Sequence, residues 1–343
     1  MPTRTDESTL SGSFSPTLSV VAPCYNEQDS LLAFVARIEA SCIAMGCSYE
    51  ILLVNDGSGD ETWERIRALA QGRPGIVGVN LSRNHGHQLA VTAGLSLARG
   101  ARVLIIDADL QDPPELLGPM MARLDQGYDV VYARRAKRAN ESRFKLVTAG
   151  LFYRVLRRLS DVDIPPDTGD FRLMSRRIVD RLNSMPERDR FIRGMVAWLG
   201  GRQSEIVYDR EARFAGRTNY TVLKMLRLAV DGITSFSTDP LRAASLLAAI
   251  GAVFGVLIAI YALIGFWTGR IVPGWTSQAL MTVFFGVGQF ACLAIIGAYL
   301  GRMYTQLKGR PLFLIDEIVV SPDTAKREQE HAGGAQRESS RVR

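Results

Sequence analysis

The stretch Asp107-Ala108-Asp109-Leu110-Gln111-Asp112-Pro113-Pro114 directly follows the apolar run at 103–106. That run is too short for a helix and rich in β-branched residues, which predicts a buried strand. In an open α/β sheet, ligands bind outside the carboxyl ends of the strands. Asp107 and Asp109 would share a face if the chain stays extended, and with Gln111 they offer the oxygen ligands that suit Mg²⁺ or Mn²⁺. The alternative to a metal site is a solvated acidic turn, which stays open because D-x-D is a short and common pattern.

Short apolar runs alternate with helical patterns around that stretch, which predicts an α/β domain whose mostly parallel sheet is covered by helices. The predicted strands are 18–22, 50–54, 76–81, 103–106, 129–133 and 204–208. Three of the strand ends deliver acidic residues to one edge: Glu27, Asp56, and then Asp107 with Asp109. We therefore predict one site there. No G-x-G-x-x-G follows the first strand and no phosphate-binding G-x-x-x-x-G-K-S/T occurs, so a metal ion and arginines would have to hold phosphates.

Composition limits the class of protein. The chain has 343 residues, a net charge of +6 and four cysteines without C-x-x-C spacing. The positive charge favours anionic partners, namely nucleic acid, nucleotide phosphates or anionic lipid, and the cysteines favour a reducing compartment. Residues 1–17 are polar and unlike a signal peptide, and residues 321–343 are similarly polar, so we predict disordered tails at both ends.

Two uncharged apolar segments, at about 243–267 and 277–300, are each long enough to cross roughly 30 Å of hydrocarbon. The flanking basic residues are Arg227, Arg242, Arg302, Lys308 and Arg310. They predict a two-helix transmembrane hairpin in the cytoplasmic (inner) membrane, with the α/β domain at 18–220 and both termini in the cytoplasm. Residues 221–242 are predicted to form an amphipathic helix along the membrane surface, and residues 301–343 a cytoplasmic tail. The basic helix predicted at 141–160 faces either solvent or lipid.

Five motifs together resemble the family 2 glycosyltransferases. More narrowly they resemble the polyprenyl-phosphate glycosyltransferases, a group that includes dolichol-phosphate mannose synthases and bacterial undecaprenyl-phosphate glucosyltransferases. The motifs are Pro23-Cys24-Tyr25-Asn26-Glu27, Asn55-Asp56-Gly57-Ser58, Asp107 to Pro113, Thr168-Gly169-Asp170-Phe171-Arg172 and Arg213-Phe214-Ala215-Gly216-Arg217-Thr218-Asn219-Tyr220. The resemblance covers about 18–311. It implies a GT-A type domain, which transfers one sugar with inversion from a UDP- or GDP-sugar to polyprenyl (undecaprenyl) phosphate for the cell envelope.

The resemblance also implies roles for individual residues. The implied nucleotide-binding residues are Pro23, Tyr25, Glu27, Asp56 and Asp107. The implied metal ligands, for Mg²⁺ or Mn²⁺, are Asp109 and Gln111, beside Asp107. The implied catalytic residues are Asp109 and Asp170, and the candidate phosphate contacts are Arg134, Arg213 and Arg217. Asp170 matches the acid proposed as base or as acceptor-positioning group. Because a lipid phosphate is already ionised near neutral pH, positioning would matter more than proton removal.

One motif departs from the family. Where the basic loop usually has S-K-Y, this chain has Thr218-Asn219-Tyr220, and we expect Arg217 to supply the missing charge. His85 and His87 are interpreted as structural or helix-start residues rather than ligands.

Two alternatives remain. A processive polysaccharide synthase is disfavoured because no Q-x-x-R-W segment occurs, and a non-catalytic nucleotide- or lipid-binding membrane scaffold would keep the fold without the reaction. The sequence leaves UDP-glucose, UDP-N-acetylhexosamine, GDP-mannose and UDP-aminoarabinose derivatives open as donors. The resemblance implies a homo-oligomer, such as a tetramer, and no nucleic-acid partner.

Overall fold

The structure, a computed structural model, describes residues 16–136, 168–209, 239–268 and 274–322. These residues form two compact units. The first contains the described residues up to 209 together with 311–322, and the second contains 239–268 and 274–310. The predicted helix at 141–160, most of the predicted helix at 221–242, and Arg213 and Arg217 lie outside the described residues.

The first unit is built on a mixed sheet. Its strands are β1 (Leu18–Cys24), β2 (Tyr49–Asn55), β3 (Ile76–Leu81), β4 (Arg102–Ile105), β5 (Val130–Arg135), β6 (Thr168–Ser175), β7 (Gln203–Tyr208) and β8 (Ile315–Val320). Its helices are α1 (Leu31–Ala44), α2 (Thr62–Gly72), α3 (His87–Leu97), α4 (Leu117–Asp125), α5 (Arg176–Ser184) and α6 (Ile192–Leu199). The sheet order is β7-β5-β6-β4-β1-β2-β3-β8. Strands β4, β1, β2 and β3 pair in parallel, as do β5 and β7, whereas β6 and β8 pair antiparallel with their neighbours.

Helices cover both faces of this sheet, which is why its strands read as continuous apolar runs. Leu18, Val20 and Ala22 of β1 pack with α1, α2 and α4, whereas Val21 packs on the other face with α3, α5 and α6. The alternation follows the two-residue period of a strand. The predicted α/β architecture with a mostly parallel sheet is confirmed.

Two segments differ from the prediction. Residues 168–172 are absent from the predicted strands, since Gly169 and Asp170 have turn propensity, but they begin β6 because burial and pairing with both β4 and β5 override that propensity. Ile315–Val320, left within the C-terminal tail, forms β8 beside β3. The run Ile-Asp-Glu-Ile-Val-Val contains two adjacent acids, and its Glu317 forms an ion pair with Arg67 of α2. The chain therefore returns to the sheet after the apolar hairpin.

The second unit consists of α7 (Asp239–Trp267) and α8 (Trp275–Leu307). Among the described residues, these two helices are long and apolar enough to cross a membrane, over Leu241–Tyr261 and Leu280–Leu307. They pack through the rings of Phe254, Phe284 and Phe285, and Phe285 also lies against Gly251 and Gly255. Both predicted apolar segments lie within these helices.

A buried ionic cluster fixes the end of the sheet opposite the predicted site. Glu50 in β2 is only 2% exposed and accepts hydrogen bonds from the Ser19 hydroxyl and from the backbone and guanidinium of Arg99. Gly100 donates its N–H to the Ser19 hydroxyl at 2.7 Å. The cluster ties the turn between α3 and β4 to β1 and β2. It therefore sets the positions of α3 and β4, whose opposite ends carry His87 and Asp107.

Removing the carboxylate from this cluster should destabilise the fold. Glu50→Ala leaves Arg99 mostly buried without its partner, and breaking a buried ion pair costs about 3–5 kcal/mol. We expect a clear fall in Tm of the detergent-solubilised protein, measured by intrinsic fluorescence. Glu64→Ala is the matched control, because Glu64 is exposed on α2. Equal Tm values for the two variants would contradict the structural role of the cluster.

Candidate active site

The topology brings several strand ends to one edge of the sheet. β1, β2, β4 and β5 end there because they run in the same direction, and β6 begins there because it runs antiparallel to β4 and β5. The β4–β6 pairing ends at Ile105 and Arg172, and the same register extended by two residues sets Asp107 opposite Asp170. Two acids far apart in sequence thus face each other across neighbouring strands.

The loops after β1 and β2 hold each other in place. The N–H of Asn26 donates to Ser58 Oγ at 3.0 Å, and the N–H of Gly59 donates to Asn26 Oδ1 at 2.9 Å. Asn26 adopts a positive φ of 56°, a strained conformation that such contacts can hold. Tyr25 beside it is 51% exposed, whereas Pro23 is buried within β1. Of these two predicted nucleotide contacts, Tyr25 is the one with a ring open to a ligand.

Glu27 and Asp56 are held differently. Glu27 is half-buried and its Oε2 accepts a hydrogen bond from Ser30 at 2.8 Å. Asp56 is 3% exposed, and its two oxygens accept the backbone N–H groups of His85 at 2.7 Å and Gly86 at 3.0 Å. Asp56 therefore fixes the loop after β3 and the start of α3. Its observed contacts are with the protein backbone.

The D-x-D stretch contains unsatisfied buried oxygens. Among the residues described, Asp107 Oδ1 and Gln111 Oε1 are buried without a hydrogen-bond partner. Asp109 accepts the N–H of Gln111 at 3.1 Å, and Leu110 between them has a positive φ of 60°, which is rare for leucine. Buried oxygens without donors are the ligands that a hard cation satisfies. These residues fit a divalent ion.

The protein side chains alone do not complete the coordination of such an ion. In the described part of the chain, no group of three His, Cys, Asp or Glu side chains is arranged to hold a metal ion. Two carboxylates and one amide would leave coordination positions for substrate phosphates, as is usual for Mg²⁺. Burial raises the pKa of Asp107 to about 6, with His87 opposing the shift and Asp170 adding to it. A bound cation would restore the ionised form.

Asp170 is the most tightly held acid of the site. It is 7% exposed, and its Oδ2 lies 3.0 Å from His87 Nε2 and 2.9 Å from Gln88 Nε2. Its Oδ1 accepts a hydrogen bond from Arg193 Nε at 2.9 Å, and Arg172 Nη2 lies 3.9 Å away. Burial opposes ionisation, but the His87 hydrogen bond and the charges of Arg193 and Arg172 hold the pKa of Asp170 well below its usual range. An ionised carboxylate with so low a pKa is a poor base.

His87 connects the two acids. Its Nε2 lies 3.0 Å from Asp170 Oδ2 and 3.6 Å from Asp107 Oδ1. Because an ionised carboxylate only accepts hydrogen bonds, Nε2 carries the proton and donates to Asp170. His87 starts α3, as predicted, but it also reaches into the site, a role that the sequence reading missed.

The basic residues of β5 divide between its faces. Arg134, a predicted phosphate contact, forms an ion pair with Glu205 at 2.9 Å. Arg135 instead donates to the Tyr208 hydroxyl at 3.4 Å and lies 4.0 Å from Asp112, which also accepts the Tyr208 hydroxyl. Because neighbouring residues of a strand point to opposite faces, only one of the two arginines can face the D-x-D stretch. Of the two, Arg135 is the arginine that approaches this stretch, through Asp112.

The predicted residues thus fall into four groups. Asp107, Asp109, Gln111 and Asp170 are brought together, Pro23, Tyr25, Glu27 and Asp56 lie at or after the ends of β1 and β2, Arg134 is paired with Glu205, and Arg213 and Arg217 are outside the described residues. The residues that the sequence reading missed are His87, Gln88, Arg135 and Arg193. A local sequence pattern does not show where these side chains point, so the missing information was side-chain direction.

Comparison with known proteins gives one family. Residues 19–182 match the glycosyl transferase family 2 domain. A glycosyltransferase of Synechocystis is 42% identical over 302 residues, covering 88% of this chain and 95% of its own. The bactoprenol glucosyl transferase of Shigella phage SfII is 36% identical over 302 residues, covering 87% and 97%. The solved mannosyl-3-phosphoglycerate synthase of Rubrobacter xylanophilus is 17% identical, with a TM-score of 0.45 over 77% of this chain and 79% of its own.

The close contact between the loops after β2 and β3 can be tested at Gly57. A Cβ there would lie 2.4 Å from the Asn84 nitrogen, at a φ of +64° that favours glycine. Gly57→Ala should push the loops apart and weaken nucleotide binding by about tenfold or more, since small misplacements in a site are costly. Isothermal titration with UDP and GDP measures this. In Gly59→Ala the added Cβ meets nothing within 4 Å, so this control should bind as the parent does. Equal affinities for all three proteins would refute the role assigned to this contact.

Proposed function

Because the chain belongs to glycosyl transferase family 2, we propose that it transfers a single sugar, with inversion, from a nucleotide-sugar to polyprenyl phosphate at the cytoplasmic face of the membrane. The chain is a glycosyltransferase with the α/β fold of the GT-A type. The acceptor, the donor and the orientation in the membrane are the parts proposed. Relatives named bactoprenol glucosyl transferase, 36% identical over most of the chain, support the acceptor.

The observation that carries the proposal is the state of Asp170. Transfer to a sugar or protein hydroxyl generally needs a base that removes a proton. Asp170 is ionised, but three donors from His87, Gln88 and Arg193 already occupy its oxygens. A phosphate monoester needs no such base, since it is already anionic near neutral pH. The acid of this site therefore fits an acceptor phosphate better than an alcohol.

The donor would lie along the strand ends. We place the nucleotide base beside Tyr25 and the diphosphate near Asp107, Asp109 and Gln111, where a divalent ion would be held. Such an ion neutralises the diphosphate and stabilises it as a leaving group. A phosphate oxygen of the acceptor attacks the anomeric carbon as the bond to the diphosphate breaks, and the nucleoside diphosphate leaves with the electron pair. Arg135, which lies beside Asp112, would contact the phosphates.

The two apolar helices support a location at the membrane. The chain leaves the sheet after β7, forms α7 and α8, and returns as β8. Two crossings bring a chain back to its starting side, so strands on either side of the hairpin can join one sheet. The basic residues that flank the spans favour the cytoplasmic side. We propose a catalytic domain at 18–220 completed by β8, with both termini cytoplasmic, in a homo-oligomer.

The reaction can be measured with the purified, detergent-solubilised protein, undecaprenyl phosphate and a panel of labelled UDP- and GDP-sugars. We expect one donor to give a lipid with a single sugar, only when Mg²⁺ or Mn²⁺ is present. Asp109→Ala should lower kcat by about 100-fold or more, because charge on the leaving diphosphate would lose its stabilisation. Nucleotide binding without transfer to any lipid would favour a non-catalytic scaffold, and a polymeric product would favour a processive synthase.

The division of the two arginines of β5 gives a matched pair of variants. Arg135→Ala should lower kcat/KM by about tenfold or more, because a hydrogen bond to a charged group is lost. Arg134→Ala removes the same charge from the ion pair with Glu205 and should leave kcat/KM close to that of the parent. The same transfer assay compares them. If Arg134→Ala lowered kcat/KM more than Arg135→Ala, the assignment of the two arginines to the two faces of β5 would be wrong.

A further inference from the structure

Arg193, in the first turn of α6, is held rigidly beside Asp170. Its Nε donates to Asp170 Oδ1 at 2.9 Å and its Nη1 donates to the Thr168 carbonyl at 2.9 Å. The guanidinium lies over the ring of Phe191, 5.6 Å from its centroid. Two fixed acceptors and one ring define the plane of the group. Among the described residues Nη2 makes no hydrogen bond, and the side chain is 29% exposed, so part of the guanidinium is open to a ligand.

The charges around Asp170 do not balance. Arg172 is 4% exposed and donates to the carbonyls of Gly169 and Asp170. Burial lowers the pKa of Arg172 to about 10, which still leaves it charged at neutral pH. Two guanidinium groups therefore surround one carboxylate, and the excess positive charge belongs to the exposed group. A partly exposed guanidinium with excess charge is a good receptor for a phosphate, which it can bind with two parallel N–H groups.

The order of the strands separates this receptor from the proposed nucleotide position. Tyr25 follows β1, and Asp107 follows β4. Asp170 lies near the start of β6, and β6 and β1 lie on opposite sides of β4 in the sheet. Along this edge of the sheet, the proposed positions therefore follow in the order nucleotide base, diphosphate with its cation, and Arg193. A phosphate at Arg193 therefore lies on the side from which an acceptor would approach the diphosphate-linked sugar.

We propose that Arg193 binds the phosphate monoester of the acceptor lipid, and that Asp170 acts as a positioning residue that orients the guanidinium. This inference rests on the proposed function and adds the residue that recognises the acceptor. Asp170 keeps its charge, takes no proton, and holds Nε so that the remaining N–H groups face the phosphate.

Binding measurements test the proposal independently of turnover. The full-length protein in detergent is titrated with a fluorescent polyprenyl phosphate, with the matching polyprenol, and with UDP and GDP. Arg193→Ala should weaken binding of the polyprenyl phosphate by about tenfold or more. Binding of the polyprenol and the nucleotides should not change. Arg193→Lys should recover only part of the loss, because lysine keeps the charge but not the planar pair of donors. Arg123→Ala, which removes an exposed charge from α4, is the control.

Asp170→Asn separates positioning from charge alone. Removing a negative charge beside an anion site would strengthen lipid phosphate binding if only net charge mattered. Positioning predicts weaker binding, with nucleotide affinity retained as evidence of a folded site. Tighter binding in Asp170→Asn would overturn the positioning role.

The remaining outcomes are also decisive. Unchanged lipid binding in Arg193→Ala, or a loss confined to nucleotides, would overturn the assignment of Arg193 to the acceptor. If the parent does not bind polyprenyl phosphate, the inference and the proposed acceptor fall together. If the parent binds it through Arg193 but transfers no sugar, only the proposed reaction fails.

Discussion

The antiparallel pairing of β6 with β4 is the constraint on which the site depends. A parallel strand in that place would bring its carboxyl end to the edge and its first residues to the far side of the sheet. Because β6 runs the other way, its first residues, which include Asp170, reach the edge of the sheet at which β4 ends. The D-x-D acids thereby gain a second acidic partner and its arginines. The helix starts at His87 and Ile192 then complete the site around Asp170.

This constraint also explains which strands and site residues could be predicted from the sequence. The strands β1 to β5 and β7 follow from apolar runs and turn residues, and Asp107, Asp109 and Gln111 follow from their position after β4. The strand β6 could not be found in that way, because Thr168-Gly169-Asp170 has turn propensity and only burial between two neighbours makes it a strand. β8 was missed for a similar reason, since its acids occur in an edge strand beside α2. Long-range pairing is invisible to a local pattern.

Side-chain direction was the other missing quantity. Arg134 and Arg135 are equivalent in composition and differ only in the face of β5 that they occupy, so the choice between them needed the register with β6 and β7. Likewise, a histidine at a helix start has an ordinary local explanation. Its contact with Asp107 and Asp170 depends on where Asp56 fixes the preceding loop.

The electrostatics of the site fit two anionic substrates rather than a substrate that must lose a proton. On the Asp107 side, the carboxylates of Asp107 and Asp109 provide negative charge that a bound cation would offset, and such a cation would in turn attract a diphosphate. On the Asp170 side, two guanidinium groups exceed one carboxylate and leave positive charge for a phosphate. His87 stands between the two sides and donates to Asp170, so it keeps the acids from meeting directly. In the proposed reaction, opposite local charges placed next to each other would let one edge of the sheet hold a donor diphosphate and an acceptor phosphate, which would otherwise repel each other.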